Sequence, residues 1–182
     1  MQRTEFHKHF KSPGPIVLPV IHVLDTPRTL RNLAEVISAG AAGCFLINHD
    51  FAPERFLPII ADVRAAYPSL WMGINFLGVT GKTAFPMLGE LTADGVAVDA
   101  YWADDACIDE HGLNTEARDI AHAYNVSGWT GMYFGGTCFK KQRQVAPEFY
   151  ADAAREACEF MDVVTTSGVA TGYAADLSKI ET

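Results

Sequence analysis

Long apolar runs are absent from this chain. No stretch approaches the ~18 residues that a membrane span needs, and the longest near the amino terminus, residues 16–24, is broken by Pro19 and His22. The first ten residues carry Arg3, His7, Lys8 and His9, with no apolar signal core after them. The chain is therefore read as cytoplasmic, without a membrane span. A basic excess is missing too. The formal net charge is −8, which argues against non-specific binding to nucleic acid. Cysteine is sparse: Cys44, Cys107, Cys138 and Cys158 lie far apart and form no CxxC pair. That spacing argues against a structural zinc site and reads as reduced, mostly buried thiols. No linker or low-complexity tract divides the sequence. No glycine fingerprint follows the first apolar run, where the residues are HVLDTPRTL. The missing fingerprint speaks against a dinucleotide-binding sheet.

What is present is a rhythm. Hydrophobic residues make up 49% of 182, enough for one sizeable domain with its own core. Apolar runs at 15–24, 43–49, 70–77, 95–101, 130–134 and 162–166 read as strands. Helical spacing fills the intervals, at 29–38, 53–66, 83–91, 114–124 and 147–161, and a sixth helix starts near Ala174. In the first, Leu30, Leu33, Val36 and Ile37 share a face, with Thr26 as N-cap and Pro27 behind it. Glycine after a helix end recurs at Gly40 and Gly95. Repeated βα units with continuous apolar strands imply a parallel sheet covered on both faces. The predicted fold is α/β, a TIM (β/α)8-type barrel forming a single domain over 1–182. With about six units present it is an incomplete or truncated barrel, short of its last two strands. A doubly wound open sheet is the rival. Such an open edge predicts a homo-oligomer. His7 and His9 read as a frayed, solvated tail.

Barrel active sites lie at the carboxyl ends of the strands, and that rule yields the candidates. Asn75 and Asp99 are polar residues inside apolar runs, GINFL and VAVDAY, and need a hydrogen-bond partner or a ligand. Asp99 and His22 are assigned as acid–base residues, Asn75 as the group that orients a hydroxyl, and Lys140 as the charge that stabilises a developing anion. Lys141 reads as a solvated loop charge. His49-Asp50 reads as a turn and helix cap, and the acidic run 103–111 as an exposed loop. Cys138 is a nucleophile only if a base lies beside it. The segment DVVTTSGVATGYAADL, 162–177, is the most informative. Its glycines let backbone N–H groups close on an anion before a helix start. Ser167, Gly168, Thr171 and Gly172 are the expected anion-binding residues. No organic cofactor motif is visible; the cofactor is unknown, and a divalent metal is not predicted.

These segments together carry a family resemblance. In order they are PVIHVL (19–24), INHD (47–50), GINFLG (73–78), GVAVDAYW (95–102), FKK (139–141) and the glycine loop. The chain resembles the BtpA family of TIM-barrel proteins, named for a factor in photosystem I biogenesis. The glycine loop is also similar to the sixth-strand loop of the tryptophan synthase α subunit, a barrel that binds a phosphorylated ligand. The first-strand loop LDTPRTL departs from the family's proline- and glycine-rich pattern, as does the second-strand loop at Asn48-His49-Asp50-Phe51. The expected function is an enzyme-like barrel binding a small anionic, phosphorylated metabolite, a sugar phosphate or nucleotide. Phosphoribosyl transfer or an isomerase or lyase reaction is the expected chemistry. The resemblance implies a non-enzymatic assembly or stability factor as the alternative. A metal-dependent hydrolase built on His22, His49 and Asp99 is a third reading.

Overall fold

The computed structural model describes residues 1–140 and 142–181. Six parallel strands lie in chain order in one sheet. They are β1 (Val20–Val23), β2 (Cys44–Asn48), β3 (Met72–Phe76), β4 (Ala100–Ala103), β5 (Met132–Gly136) and β6 (Val163–Thr165). The intervening helices are α2 (Thr26–Ser38), α3 (Pro53–Ala66), α4 (Gly81–Ala93), α5 (Thr115–Ser127) and α6 (Tyr150–Ala157). A helix α1 (Arg3–His9) precedes the sheet and a short α7 (Leu177–Ile180) follows it. The sheet is not closed; β1 and β6 are its two edges. This is the incomplete barrel that the βα rhythm predicts. Among the described residues no helix is long and apolar enough to cross a membrane.

Alternation gives the sheet two different faces. Ile21 and Val23, Leu46, Ile74 and Phe76, Tyr101 and Tyr133 point to the helix layer. There they join Leu33, Phe56, Ile60, Phe85 and Ile120 in the main core. The other face, the inner face of the barrel, holds a smaller apolar cluster of Phe45, Ala100, Met132 and Phe134 near the strand starts. Gly73 makes room for it, since a Cβ there would lie 2.2 Å from the Phe45 ring.

α1 closes the inner face from below, so the amino-terminal residues are not the frayed tail expected of them. Phe6 and Phe10, one helical turn apart, bring an aromatic pair onto the sheet. The Phe10 ring sits 5.1 Å from Trp71 and the Phe6 ring 6.2 Å from Phe134. His7 Nδ1 meets the Ser12 carbonyl at 2.8 Å.

Three boundaries differ from the sequence reading for local reasons. Asp25 caps α2, accepting from the Arg28 amide at 2.7 Å, so the helix starts at Thr26. The run 95–101 is only partly strand. Gly95, at φ +78°, ends α4, and its amide and that of Val96 return to Thr92 and Leu91. The Ala97 and Val98 carbonyls then accept from Arg64 and Trp129 side chains, and the ladder begins at Ala100. At the far end Asp176 caps α7 by accepting from the Ser178 amide, which moves the helix start from Ala174 to Leu177.

Candidate functional site

The later start of β4 decides where Asp99 lies. Its amide pairs with the Met72 carbonyl at the amino-terminal edge of the sheet. Asp99 Oδ2 accepts from Arg64 Nη2 at 2.7 Å and from the Met72 amide at 2.8 Å. Arg64 also donates to the carbonyls of Ala97, Leu70, Pro68 and Tyr67. Asp99 is thus one member of a brace that ties α3 to the start of β3 and β4. Thr165 lies five residues further along the ladder, about 16 Å at the rise of a strand. The structure does not bring Asp99 to the carboxyl edge.

His22 and Asn75 do reach that edge, on the inner face, and two neighbours join them. The His22 and His49 rings stack with centroids 4.1 Å apart. Asn75 Nδ2 donates to Asp104 Oδ1 at 3.0 Å. His22, His49, Asn75 and Asp104 thus form a polar row across the ends of β1 to β4, above the apolar cluster. Asn75 is 1% exposed, and its Oδ1 has no hydrogen-bond partner among the described residues. Trp102, next to Asn75 across the ladder, has an indole N–H in the same condition. His22 and His49 face solvent. Sequence reasoning missed Asp104, which sits inside the acidic run. Its signal is the alternation Ala100, Trp102, Asp104, legible once β4 is known to start at Ala100.

The backbone at Asp104 is fixed from behind. A Cβ on Gly136 would lie 2.0 Å from the Asp104 carbonyl oxygen, so only glycine admits this approach. Gln142 Nε2 donates to the carbonyls of Gly136 and Asp104, at 2.7 and 3.0 Å, and to Asp105 Oδ1 at 2.9 Å. Nothing in the sequence singled out Gln142. The rest of the acidic run is spent on the fold. Asp105 Oδ1 accepts from the Cys107 amide and Asp109 Oδ1 from that of His111. Glu110 is gripped by both Arg143 Nη groups, one at 2.8 Å, and the guanidinium holds its carboxyl at about 2. Burial pushes the Cys138 thiol up, which keeps it protonated and disfavours a nucleophilic role.

The glycine loop meets Lys140 at the rim beside β5 and β6. The Lys140 amide donates to Ser167 Oγ at 2.9 Å and its ammonium to Thr171 Oγ1 at 3.1 Å. Gly172 takes φ +85°, and Gly168 packs so closely on the Tyr173 and Ala174 carbonyls that a Cβ would overlap them. The Ser167 and Cys138 carbonyls accept from Lys179 of α7. The loop therefore joins Lys140, Ser167 and Thr171, while Gly168 lies against carbonyls. Lys141 lies outside the described residues. Among those residues no three His, Cys, Asp or Glu side chains converge to hold a metal ion. The trio His22, His49 and Asp99 is split between opposite edges of the sheet.

No family model matches the chain, and no curated protein matches it. Solved structures do. A mandelate racemase/muconate lactonizing protein from Herpetosiphon aurantiacus superposes with TM-score 0.59 at 12% identity, over 92% of this chain and 42% of that one. A mandelate racemase/muconate lactonizing enzyme from Roseiflexus sp. gives 0.59 at 18%, over 92% and 44%. A member of the enolase superfamily from Enterococcus faecalis V583 gives 0.54 at 15%, over 95% and 42%. The chain spans under half the length of these structures. At such identities the likeness is one of fold, a TIM-barrel-type domain present in part. It corrects the BtpA resemblance: these similar structures are mandelate racemase/muconate lactonizing proteins and an enolase-superfamily member, and no family model supports BtpA. The segments behind that resemblance are strand ends and a glycine loop, which parallel barrels share for reasons of geometry.

Proposed function

We propose that this chain is the barrel portion of an enzyme of isomerase or lyase type that acts on a small carboxylated or phosphorylated metabolite at the carboxyl edge of the inner face. The observation that carries the reading is Asn75 Oδ1, a fully buried acceptor without a donor among the described residues, in the middle of the polar row. Leaving such a group unsatisfied costs about 1–3 kcal/mol, and a substrate hydroxyl would offset that cost. Asp104 fixes the Asn75 amide so that Oδ1 keeps its direction. The stacked His22 and His49 supply a proton acceptor on the same face. Lys140, held at Thr171, supplies positive charge at the rim for the anionic end of the ligand.

In the chemistry proposed, one imidazole takes the proton from the carbon beside the carboxyl group, and the electron pair passes into that group as an enediolate. Delivery of a proton to the opposite face of the same carbon completes an isomerisation. Loss of hydroxide from the next carbon, protonated as it leaves, completes a dehydration. Asp99 takes no part. The carboxylate option draws support from the names mandelate racemase and muconate lactonizing enzyme, both of which denote reactions of carboxylic acids. The split of His22 and His49 from Asp99 removes the basis for a metal-dependent hydrolase.

A thermal-shift panel of 2-hydroxycarboxylates and sugar phosphates tests the reading. At least one ligand is expected to raise the melting temperature of the full chain. Asn75→Leu removes the lone acceptor, and it is expected to abolish that response while leaving a cooperative melt. A response that survives in Asn75→Leu would place the ligand elsewhere and overturn the assignment.

A further inference from the structure

Asp104 stands one residue past the ordered sheet. Ala103, opposite Gly135, is the last residue of β4 in the ladder, and Asp104 lies half-buried in the bend that follows. The ladder between β4 and β5 therefore does not fix its backbone. Yet its carboxylate is what holds the Asn75 amide, at 3.0 Å. A residue beyond the ladder keeps one direction only where other groups bond its main chain.

The loop after β5 supplies that bond through one side chain. Gln142 Nε2 donates to the Gly136 carbonyl at 2.7 Å, to Asp105 Oδ1 at 2.9 Å and to the Asp104 carbonyl at 3.0 Å. Its Oε1 accepts from the Phe139 amide at 2.8 Å, and its own amide donates to the Phe139 carbonyl at 3.0 Å. Three acceptors on the nitrogen side and a donor on the oxygen side leave the carboxamide one orientation. A carboxylate there would set its charge against Asp105 and two carbonyls, and an apolar side chain would leave those acceptors without their donor. The same loop has a second foothold on this face. The Phe139 ring packs edge-on against Trp102 with centroids 5.9 Å apart, and Trp102 is the inner-face residue just before Asp104.

We infer that Gln142 is the positioning residue of the polar row. It sets the peptide at Asp104, and through the Asp104 carboxylate it sets the direction in which Asn75 Oδ1 points. It acts through Asp104 and not on a ligand. The ends of β3 and β4 are thereby governed by the loop after β5, so a change at Gln142 is felt at Asn75, two strands away. That role in the site rests on the reading of Asn75 given above; the coupling of Gln142 to Asn75 does not.

The test needs no ligand. The side-chain amide signals of Asn75 and Gln142 are followed by two-dimensional ¹H–¹⁵N NMR in the full chain and in Gln142→Met and Gln142→Glu. Asp99→Ala serves as the control, because it weakens the fold at the opposite edge of the sheet without touching the loop. Both Gln142 variants are expected to move the Asn75 signals and to speed the exchange of its amide protons with water by about tenfold, the factor that goes with one lost hydrogen bond. Asp99→Ala should leave those signals in place. Unmoved Asn75 signals in both Gln142 variants would overturn the proposal. Equal movement in Asp99→Ala would overturn it too, since the effect would then be one of general stability. The unaltered chain gives a second reading that no folding failure removes. Its Gln142 side-chain amide is expected to exchange about tenfold more slowly than a solvated glutamine, and exchange at the solvated rate would refute the clasp. Since no ligand enters, a failure here leaves the panel on Asn75→Leu untouched, and a failure of that panel leaves this result standing.

Discussion

Replacing Asp99 by alanine separates a brace from an acid–base residue. The substitution deletes one carboxylate oxygen that accepts from both Arg64 Nη2 and the Met72 amide, at 2.7 and 2.8 Å. A hydrogen bond to a charged group contributes about 1.5–3 kcal/mol. Two effects lower the figure. Asp99 is 35% exposed, so solvent screens part of the attraction. Arg64, 12% exposed, keeps its bonds to the carbonyls of Ala97, Leu70, Tyr67 and Pro68, so its charge is not stranded. A loss of about 2 kcal/mol remains. For a chain of this size that corresponds to a melting temperature lower by about 4–8 °C. Asp99→Asn keeps an oxygen for the Met72 amide and should lose about half as much. Circular dichroism melts give the stability, and the same samples, screened with any ligand that stabilises the parent chain, give the binding response. A lower melting point is expected, with the ligand-induced rise unchanged. An unchanged melting point with a lost ligand response would put Asp99 in the site and refute the placement of β4 on which the reasoning depends.

Two further outcomes follow from named contacts. Glu110 carries a carboxyl lowered from 4.5 to about 2 by Arg143. A depressed carboxyl stabilises the fold above its unfolded value, so this contribution is complete above about pH 5 and is lost as pH falls from 4.5 through 2. With Arg143 57% exposed the contribution is about 1–2 kcal/mol; urea midpoints at pH 6 and pH 3 should converge in Arg143→Met relative to the parent, and an identical pH dependence in both would count against the pair. Phe10→Ala removes the ring that lies 5.1 Å from Trp71. It should cost about 1–2 kcal/mol and shift tryptophan emission to the red; emission and stability unchanged from the parent would mean that α1 does not pack on the inner face.

The architecture was largely legible because it rests on period and order. Each strand is a short continuous apolar run, each helix carries its own apolar stripe, and the short βα connections point to a parallel sheet, in the chain order of a barrel or in the order of the doubly wound rival. The misreading of β4 has a definite cause. Val96 and Val98 are apolar and alternate as a strand would, yet their segment satisfies its carbonyls with Arg64 and Trp129 side chains, which no local pattern shows. That shift of a few residues took Asp99 to the wrong end of the barrel and hid Asp104 in an acidic run. α1 was missed because its stabilising contacts, Phe6 on Phe134 and Phe10 on Trp71, join residues far apart in sequence. His22 and Asn75 were found by a rule that needs only strand ends, and the structure places both on the inner face. The stacking of His22 on His49 depends on the register between β1 and β2, and register is a property of the folded sheet.

The most direct measurement is an NMR map of where a stabilising ligand acts. The side-chain amide of Asn75 and the imidazole protons of His22 and His49 are followed through a titration with the best hydroxycarboxylate or sugar phosphate, alongside the Arg64 guanidinium and the Met72 amide. The Asn75, His22 and His49 signals are expected to move together with one midpoint while Arg64 and Met72 stay still. Movement centred on Arg64 and Met72, with the three inner-face residues unmoved, would contradict it.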